Sequence, residues 1–300
     1  MKNRLSSGDV FNKIYTIIEH IGKGSTSEVY KVSKKGTTDH FALKIMHDVV
    51  EISSSEIRFS MEARSLLSIN HPNIIKVFDF IDTEDRKAIV LELLEGQDLK
   101  QLLRSNGPLE QPEALKIAIG IAEGLSGIHA MNIIHRDVKP QNVFIGYDSE
   151  VKLMDFGTIQ ASQTQELTAQ GKSIGTIEYM SPEICRAKKA TPKTDVYSLG
   201  IVIYYMLTGA LPFNGADDIS IAKKQVFEMP TPPIVANPEI SLTINSLILK
   251  MLEKDADDRP TVDYVLQVLK KALNIPHFEK PTIPTTTKMK KKKLFGRKNA

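Results

Sequence analysis

A short polar stretch near the middle of the chain carries the residue types that a phosphoryl-transfer site needs. It reads His135-Arg136-Asp137-Val138-Lys139-Pro140-Gln141-Asn142, and Asp155-Phe156-Gly157 follows it. Two carboxylates, a lysine and an amide therefore stand at the spacing that such a reaction requires. Asn142 and Asp155 offer an amide oxygen and a carboxylate oxygen, which are hard ligands that suit Mg²⁺ better than histidine or cysteine. The pattern indicates metal-assisted phosphoryl transfer.

A glycine-containing turn lies upstream, between two predicted strands. It reads Gly22-Lys23-Gly24-Ser25-Thr26-Ser27-Glu28-Val29. Glycines let the backbone approach phosphate oxygens and present N–H donors without a Cβ in the way. Such a turn alone is usually a plain hairpin. Lys44 on the next predicted strand could grip phosphates, with Glu62 on the following predicted helix as its partner. The order of these features, more than any one of them, favours a nucleotide site.

Taken together, the motifs resemble those of the eukaryotic-type (Hanks-type) serine/threonine protein kinases over residues 15–273. Ser27 stands where that family has its third glycine. The sequences of residues 195–200 and 206–213 are more similar to those of bacterial members. The resemblance implies an enzyme of the EC 2.7.11.1 type. It would transfer the γ-phosphoryl group of ATP to serine and threonine hydroxyls of proteins and phosphorylate its own activation segment. The implied cofactors are ATP and Mg²⁺, with Mn²⁺ as a substitute.

The resemblance also assigns roles to individual residues. Asp137 would accept or orient the substrate hydroxyl, and Lys139 would neutralise charge on the phosphoryl group. Asn142 completes the catalytic set and binds metal together with Asp155. Nucleotide contacts are implied at Ile21, Gly22, Lys23, Gly24, Ser27, Val29, Ala42, Lys44, Glu62, Glu92, Leu94 and Asp98.

Two of those nucleotide positions lie on residues 89–94, a segment that resembles the strand and hinge of the adenine pocket. Backbone groups of Glu92 and Leu94 would bond the adenine edge, and Leu91 would close the back of the pocket. Asp98 either reaches the ribose hydroxyls or is a plain surface residue. The sequence leaves both readings of Asp98 open.

Regulation is implied by Arg136, which precedes the candidate base. It resembles the arginine that pairs with a phosphate on the activation segment, predicted here over residues 155–183. Charge-assisted bonds of this kind can order a loop. Thr176 resembles the residue that bonds the catalytic aspartate and lysine, so it ranks last as a phosphorylation site. The candidate regulatory residues are Thr164, Thr168, Ser173 and Thr176.

Other residues resemble structural supports of the same family. Glu183, in Ser181-Pro182-Glu183, should pair with Arg259, and Asp195 should brace the backbone of the catalytic loop. His135 is predicted to pack beneath that loop. Cys185, the single cysteine, excludes an internal disulfide and a cysteine-clustered metal site. Its plain interpretation is a small buried residue.

The elements that must position these residues predict an α+β, bilobal protein kinase fold. The small N-lobe, about 11–94, has strands over 15–21, 28–33, 40–46, 75–81 and 88–93, with one helix over 56–69. The C-lobe, about 95–275, is mostly helical, with a long buried helix over 111–131. Its other predicted helices cover 99–105, 193–207, 217–227, 242–250 and 262–273, and short strands cover 143–145 and 151–154. The kinase domain would span 1–275.

Charge is distributed unevenly along the 300 residues. The net charge is +3, but seven basic residues and no acidic residue lie in 288–298, so the remainder carries −4. The Pro/Thr-rich and then polybasic segment 276–300 is predicted to be a disordered tail. Its open roles are binding an anionic membrane surface, binding nucleic acid, acting as an import signal, and simple solvation.

Location and partners follow from the same features. No apolar run is long enough to span a membrane, and the first residues lack a secretory signal. The expected location is cytoplasmic, with a peripheral position at the inner membrane surface as the alternative. Expected partners are ATP, proteins with serine or threonine acceptors, and a transient homodimer during autophosphorylation. No specific nucleic acid is expected.

Two alternatives to an active protein kinase are open to the residues alone. A pseudokinase would only bind partners, but it would normally lack Lys44, Asp137 or Asp155, and all three are present. A kinase for small molecules shares a His-x-Asp loop. Lys139 and Arg259 favour the protein kinase architecture instead.

Overall fold

The computed structural model describes residues 4–24, 27–46, 67–83, 86–155 and 177–273. Six strands form the N-lobe sheet in the order β1-β2-β3-β4-β6-β5, and every neighbouring pair is antiparallel. Alternate side chains of β2 and β3 are buried, as their β-branched and aromatic composition predicts. The strands are β1 Val10–Phe11, β2 Tyr15–Lys23, β3 Ser27–Lys34, β4 His40–Met46, β5 Val77–Asp82 and β6 Lys87–Glu92.

The inner face of this sheet has its own hydrophobic core, built around Tyr15, Tyr30 and Leu43. The register of β2 against β3 shifts twice, between Ile17 and Glu19 and between His20 and Gly22. Such bulges bend a strand and increase its twist. The end of β2 therefore curls over the cleft between the lobes, which is where the glycine turn lies.

The C-lobe is mostly helical, with a three-stranded sheet (order β7-β8-β9) on the side facing the cleft. These strands are β7 Gly96–Asp98, β8 Val143–Gly146 and β9 Val151–Leu153. The helices are α1 Leu99–Asn106, α2 Gln111–Ala130, α3 Pro182–Cys185, α4 Pro192–Thr208, α5 Asp218–Phe227, α6 Pro233–Ala236, α7 Leu242–Met251 and α8 Val262–Leu273. Single 3₁₀ turns cover Pro140–Asn142 and Ile177–Tyr179.

Helix α2 is the centre of the C-lobe and packs against α8, α4 and β9. Its mixed apolar composition produces burial on most sides, as the sequence predicted. A Cβ at Gly120 would lie 2.6 Å from the Cβ of Val151, and one at Gly124 would lie 2.9 Å from Leu153 Cδ1. These two glycines therefore bring the helix close to β9, the strand that leads into Asp155.

The predicted α+β, two-lobed architecture is confirmed, and the predicted elements inside the described residues match to within two residues at each end. The short elements β1, β7, α3 and α6 were not predicted. The helix predicted over 56–69 falls mostly, and the tail over 276–300 falls entirely, outside the described residues. Among the helices of the described part of the chain, none is long and apolar enough to cross a membrane.

Candidate active site

A cleft of about 610 Å³ separates the two lobes, a volume typical of small-molecule sites. Eleven of the twelve predicted nucleotide residues line it, and the twelfth, Glu62, lies outside the described residues. Asp155 lies at one end of the cleft. Sequence reasoning missed Phe144 and Met154, which supply apolar surface on the C-lobe side. Their positions next to the polar motifs were the available signal.

The glycine turn forms the roof of this cleft. Gly22 pairs with Val29 across the β2–β3 hairpin, and the Gly24 amide donates to the Ser27 carbonyl at 2.8 Å. Ser27 is buried there. The small serine is accommodated where the family has a glycine, and the turn closes with a normal backbone hydrogen bond.

Lys44 lies on β4, an interior strand of the sheet between β3 and β6. Its ammonium contacts the Asp155 carboxylate at 2.5 Å. The Lys44 charge holds the pKa of Asp155 below its ordinary value, so that carboxylate is ionised. Asp155 itself has a left-handed backbone, with φ of 53°. A lysine predicted to grip phosphates and an aspartate predicted to bind metal therefore meet inside the cleft.

Asp137 is held from two sides by the other residues of its loop. Lys139 Nζ lies 2.7 Å from Asp137 Oδ2. The Asn142 amide nitrogen donates to the Asp137 carbonyl at 2.8 Å and to Oδ2 at 2.9 Å. These contacts fix the carboxylate in one orientation next to a permanent cation.

The same contacts determine which atom Asn142 can offer to a metal. Only the NH₂ end of the side chain can donate to the two Asp137 oxygens, so Oδ1 is the end left to accept or coordinate. The Met154 amide donates to the Asn142 carbonyl at 2.9 Å, which ties the segment before Asp155 to the loop. Among the described residues, no group of three or more His, Cys, Asp or Glu side chains could hold a metal alone. The oxygen set fits a divalent ion that also binds substrate phosphates.

Comparison with known proteins agrees with this geometry. Residues 15–271 match the family described as "Protein kinase domain". The chain belongs to the protein kinase domain family. Membership implies the use of ATP and a divalent metal.

Among curated relatives of this kinase domain are bacterial serine/threonine-protein kinases. PrkC of Bacillus subtilis is 36% identical over 80% of this chain and 37% of its own length. The probable kinase PknB of Lactococcus lactis is 35% identical over 85% of this chain and 41% of its own length. PknB of Mycobacterium leprae is 34% identical over 82% of this chain and 40% of its own length. The chain thus spans about two fifths of the length of these relatives.

The catalytic loop of the kinase domain is supported from below by Asp195 on α4. This fully buried carboxylate accepts from the His135 amide at 2.9 Å and the Arg136 amide at 2.8 Å, and His129 Nε2 lies 2.8 Å away. Arg136 has a positive φ of 67°, a strained conformation for a residue with a side chain. The predicted bracing role of Asp195 is confirmed, whereas His129 was not predicted.

His135 packs beneath the loop as predicted and is fully buried. Burial lowers its pKa, so the ring is neutral. Nε2 lies 3.1 Å from the Met154 carbonyl, and the Asp137 amide donates to Nδ1 at 3.3 Å. The ring therefore joins the loop that carries Asp137 to the segment that leads into Asp155.

The end of the activation segment is anchored by a buried ion pair. Arg259 Nη1 and Nη2 donate to the two oxygens of Glu183 at 2.9 and 2.8 Å, and Thr194 Oγ1 donates to Glu183 Oε1 at 2.8 Å. This confirms the predicted pairing. The neighbouring Cys185 is half-buried, and burial together with the Glu183 charge raises its pKa to about 11. Its thiol is therefore unreactive at neutral pH.

The hinge contains a charged contact that the sequence did not reveal. Glu92 Oε1 accepts from the buried Lys152 at 3.1 Å and from the Lys76 amide at 2.7 Å. The Glu92 amide donates to the Lys76 carbonyl at 3.0 Å, which ties the end of β6 to the segment before β5. Lys152, inside the apolar run Val151–Leu153, was the only sequence signal.

The functional roles of the predicted site residues remain predictions, and those of Asp98 and Arg136 depend on particular contacts. Asp98 lines the cleft, and its side chain also accepts from the Gln101 amide at 2.8 Å as the N-cap of α1. This geometry suits either reading of that residue. Arg136 is partly buried, and burial lowers its pKa. The candidate phosphorylation sites Thr164, Thr168, Ser173 and Thr176 lie outside the described residues.

Proposed function

We propose that this kinase domain transfers the γ-phosphoryl group of ATP to serine or threonine hydroxyls of proteins. The observation that carries the proposal is the Asp137 carboxylate. It is fixed between Lys139 and Asn142 and lies on the loop tied to Asp155 at the end of a nucleotide-sized cleft. A carboxylate in this setting can accept a proton while an adjacent cation stabilises the transferring group.

The nucleotide would lie under the glycine turn with its adenine at the hinge. The Glu92 carbonyl and Leu94 backbone would bond the adenine edge, and Val29, Ala42 and Met154 offer apolar surface to the ring. Lys44 would hold the α- and β-phosphates. When bound, a divalent ion at Asp155 and Asn142 Oδ1, with Mg²⁺ proposed and Mn²⁺ as a substitute, would neutralise charge on the phosphates.

In the transfer step, the hydroxyl oxygen of the substrate forms a bond to the γ-phosphorus. The bond from that phosphorus to the β–γ bridging oxygen breaks, and ADP leaves. The hydroxyl proton passes to Asp137. Lys139, 2.7 Å from that carboxylate, balances negative charge on the phosphoryl oxygens. General-base assistance of this kind contributes about 10²–10⁴-fold in rate.

The direct test is phosphoryl transfer from γ-labelled ATP to the chain itself and to a generic basic protein. Asp137→Asn keeps the size of the side chain but removes the base, so the labelling rate should fall by about 10²–10⁴-fold while nucleotide binding stays close to normal. Asp148→Asn, which changes a carboxylate in the exposed β8–β9 turn, is the matched control and should keep full transfer. Near-normal transfer by Asp137→Asn would contradict the assignment. Bound ATP without transfer by the unmodified chain would favour a pseudokinase.

Regulation by autophosphorylation is part of the proposal. Phosphate on Thr164, Thr168 or Ser173 would pair with Arg136 and order the segment. Mass spectrometry of the labelled chain should place phosphate among these residues and not on Asp137→Asn. A transient homodimer should make the initial rate per molecule rise with protein concentration. A rate per molecule independent of concentration would mean that the reaction occurs within one chain.

The polybasic segment leads to a separate proposal, that it holds the domain at an anionic membrane surface. Seven basic side chains lie in 288–298, each contributing up to about 1 kcal/mol near such a surface. Sedimentation with anionic vesicles should pellet the full chain and not a chain lacking 286–300. Equal pelleting of the two forms would contradict the proposal.

A further inference from the structure

A second cavity, of about 440 Å³, lies on the C-lobe away from the nucleotide cleft. The segment between α3 and α4 forms one wall, and the residues that follow α7 form the other. We name it the cationic pocket, after four of its lining residues. These are Arg186, Lys188, Lys189 and Lys254, and the other lining residues are Glu183, Thr191, Asp255 and Ala256.

The charges around the cationic pocket do not balance. Glu183 has both oxygens committed to Arg259, so Asp255 is the one carboxylate of the lining set not bound to an arginine. Within the residues that the structure describes, no carboxylate lies within 4.0 Å of any of the four cations. This clustering occurs in a chain whose net charge is −4 without the polybasic segment. Four cations in one cavity repel one another, and a bound anion would remove that cost.

Lys254 is the most constrained of the four. Its ammonium donates to the Gln225 carbonyl at 2.8 Å and lies 4.1 Å from the centre of the Phe213 ring. Burial, and then the charge of Arg259, lowers its pKa to about 8. Its two other hydrogen bonds, to the Lys224 carbonyl and the Tyr197 hydroxyl, are both 3.4 Å long, and it lies 5.8 Å from the centre of the Tyr197 ring. Hydrogen bonds of that length are weak, so an incoming anion can replace them. Little side-chain freedom would be lost on binding.

The other cations reach the pocket from a rigid segment. The anchored Glu183 lies in helix α3, and the Lys188 amide donates back to the Glu183 carbonyl at 2.8 Å. Arg186 Nη2 reaches the Val226 carbonyl at 3.4 Å, and its guanidinium lies 5.8 Å from the Phe227 ring. The backbone that presents the basic side chains is therefore fixed by the same pair that anchors the activation segment.

We propose that the cationic pocket binds a phosphorylated serine or threonine side chain of a protein that this kinase domain recognises. An arginine and three lysines are the groups with which proteins bind phosphate. A water molecule occupies about 30 Å³ in the liquid, so the pocket volume of about 440 Å³ is larger than one inorganic ion needs. The remaining space can hold part of the peptide that carries the phosphate. The inference adds a partner class to the proposed function, because phosphoserine and phosphothreonine are the products of that reaction.

The test is binding without ATP, so it gives an answer whether or not the chain transfers phosphate. The probe is a fluorescent library of degenerate peptides with a fixed central phosphoserine or phosphothreonine. Parallel libraries carry unmodified serine or threonine, or glutamate, at that position. The full chain should bind the phosphorylated libraries at least tenfold more tightly than either parallel library, and the affinity should fall with salt.

The variant Lys188→Ala/Lys189→Ala should bind the phosphorylated libraries at least tenfold more weakly. Its matched control is Lys34→Ala/Lys35→Ala, which removes two adjacent exposed lysines from the β3–β4 turn and should change binding less than twofold. Both variants keep the polybasic segment, so its contribution cancels. Both should also keep the thermal midpoint of the unmodified chain. Lys254→Met, which removes a third cation of the pocket, should independently weaken binding of the phosphorylated libraries.

Four results would overturn the proposal. The first is no preference for the phosphorylated libraries, and the second is an equal loss in the two double variants. The third is displacement of the bound peptides by inorganic phosphate at a concentration equal to the peptides' dissociation constant. That result would mean that the pocket binds only the ion. The fourth is tighter binding of a short oligonucleotide that is lost in Lys188→Ala/Lys189→Ala, which would identify a nucleic-acid surface instead.

Discussion

Replacing Arg259 with methionine should lower the free energy of unfolding of the kinase domain by about 3–5 kcal/mol. The Arg259 side chain is fully buried and donates to both oxygens of Glu183, to the Glu253 carbonyl at 2.8 Å and to the Lys193 carbonyl at 3.0 Å. Methionine has a similar length but no donors. The variant would therefore keep a buried carboxylate without its cation, and that uncompensated charge accounts for most of the cost.

Two further variants separate the lost charge from the lost packing. In Arg259→Met/Glu183→Leu neither partner carries charge, so it should be more stable than Arg259→Met alone, although the carbonyls of Lys193, Glu253 and Lys254 still lack donors. The exposed pair Lys250–Glu253, at 3.7 Å, is the control. Lys250→Ala should cost less than about 1 kcal/mol, because solvent screens that pair. Unfolding in urea, followed by circular dichroism, measures each difference.

The pH dependence gives a second measure of the same pair. Burial alone would raise the pKa of Glu183, but the hydrogen bonds and charge of Arg259 outweigh it and lower the pKa. A lowered pKa stabilises the folded state above the ordinary value of 4.5, and that stability is lost as pH falls through the folded pKa. In Arg259→Met burial acts on Glu183 without that cation, so its pKa should lie above 4.5 and it should take up a proton, losing its uncompensated charge, as pH falls from 7. The difference between the unmodified chain and Arg259→Met should therefore shrink from pH 7 towards 4.5, and further below 4.5 as the unmodified chain loses its own contribution. A cost below about 1 kcal/mol at pH 7, or a difference that grows on acidification, would refute the reasoning.

Three other perturbations test the site and its supports. Asp137→Asn should reduce the transfer rate by about 10²–10⁴-fold, with ATP affinity changed little, as measured by label transfer and nucleotide titration. Lys152→Met removes the cation that holds Glu92 and should cost about 1–3 kcal/mol, read as a lower midpoint in urea. Gly120→Ala forces a methyl group against Val151, which should lower the free energy of unfolding by about 1–3 kcal/mol despite the better helix propensity of alanine. The loss should be measurable as a lower thermal midpoint. An unchanged midpoint in either variant would contradict the packing described for β9.

The chemistry of the site could be predicted from sequence because its residues are close together along the chain. Asp137, Lys139 and Asn142 lie within one short loop, so their residue types and spacing limit which of their atoms can meet. The glycine turn is equally local, since one hairpin brings Gly22 opposite Val29. Strands and helices with clear periodicity were predicted for the same reason.

Contacts between distant segments could not be predicted in the same way. Lys152 and Glu92 are 60 residues apart, and His129 meets Asp195 across 66 residues. The local sequence around each of these residues does not indicate its partner. The cationic pocket is a similar case, because Lys254 joins Lys188 only after α4 to α7 have folded between them. Such partners depend on the packing of whole elements, which a single-sequence pattern does not encode.

The strained backbone of the catalytic loop explains why these distant supports matter for chemistry. Arg136 and Asp155 both have left-handed backbones, each costing about 1–3 kcal/mol for a residue that is not glycine. Asp195 offsets the first by accepting the Arg136 amide, and Lys44 holds the side chain of Asp155. His135 joins the two segments through its ring. The position of Asp137, the proposed base, relative to Asp155, the proposed metal ligand, is therefore set partly by two buried residues that need not touch ATP, Asp195 and His135. Loss of Asp195 should misplace the base before it unfolds the domain.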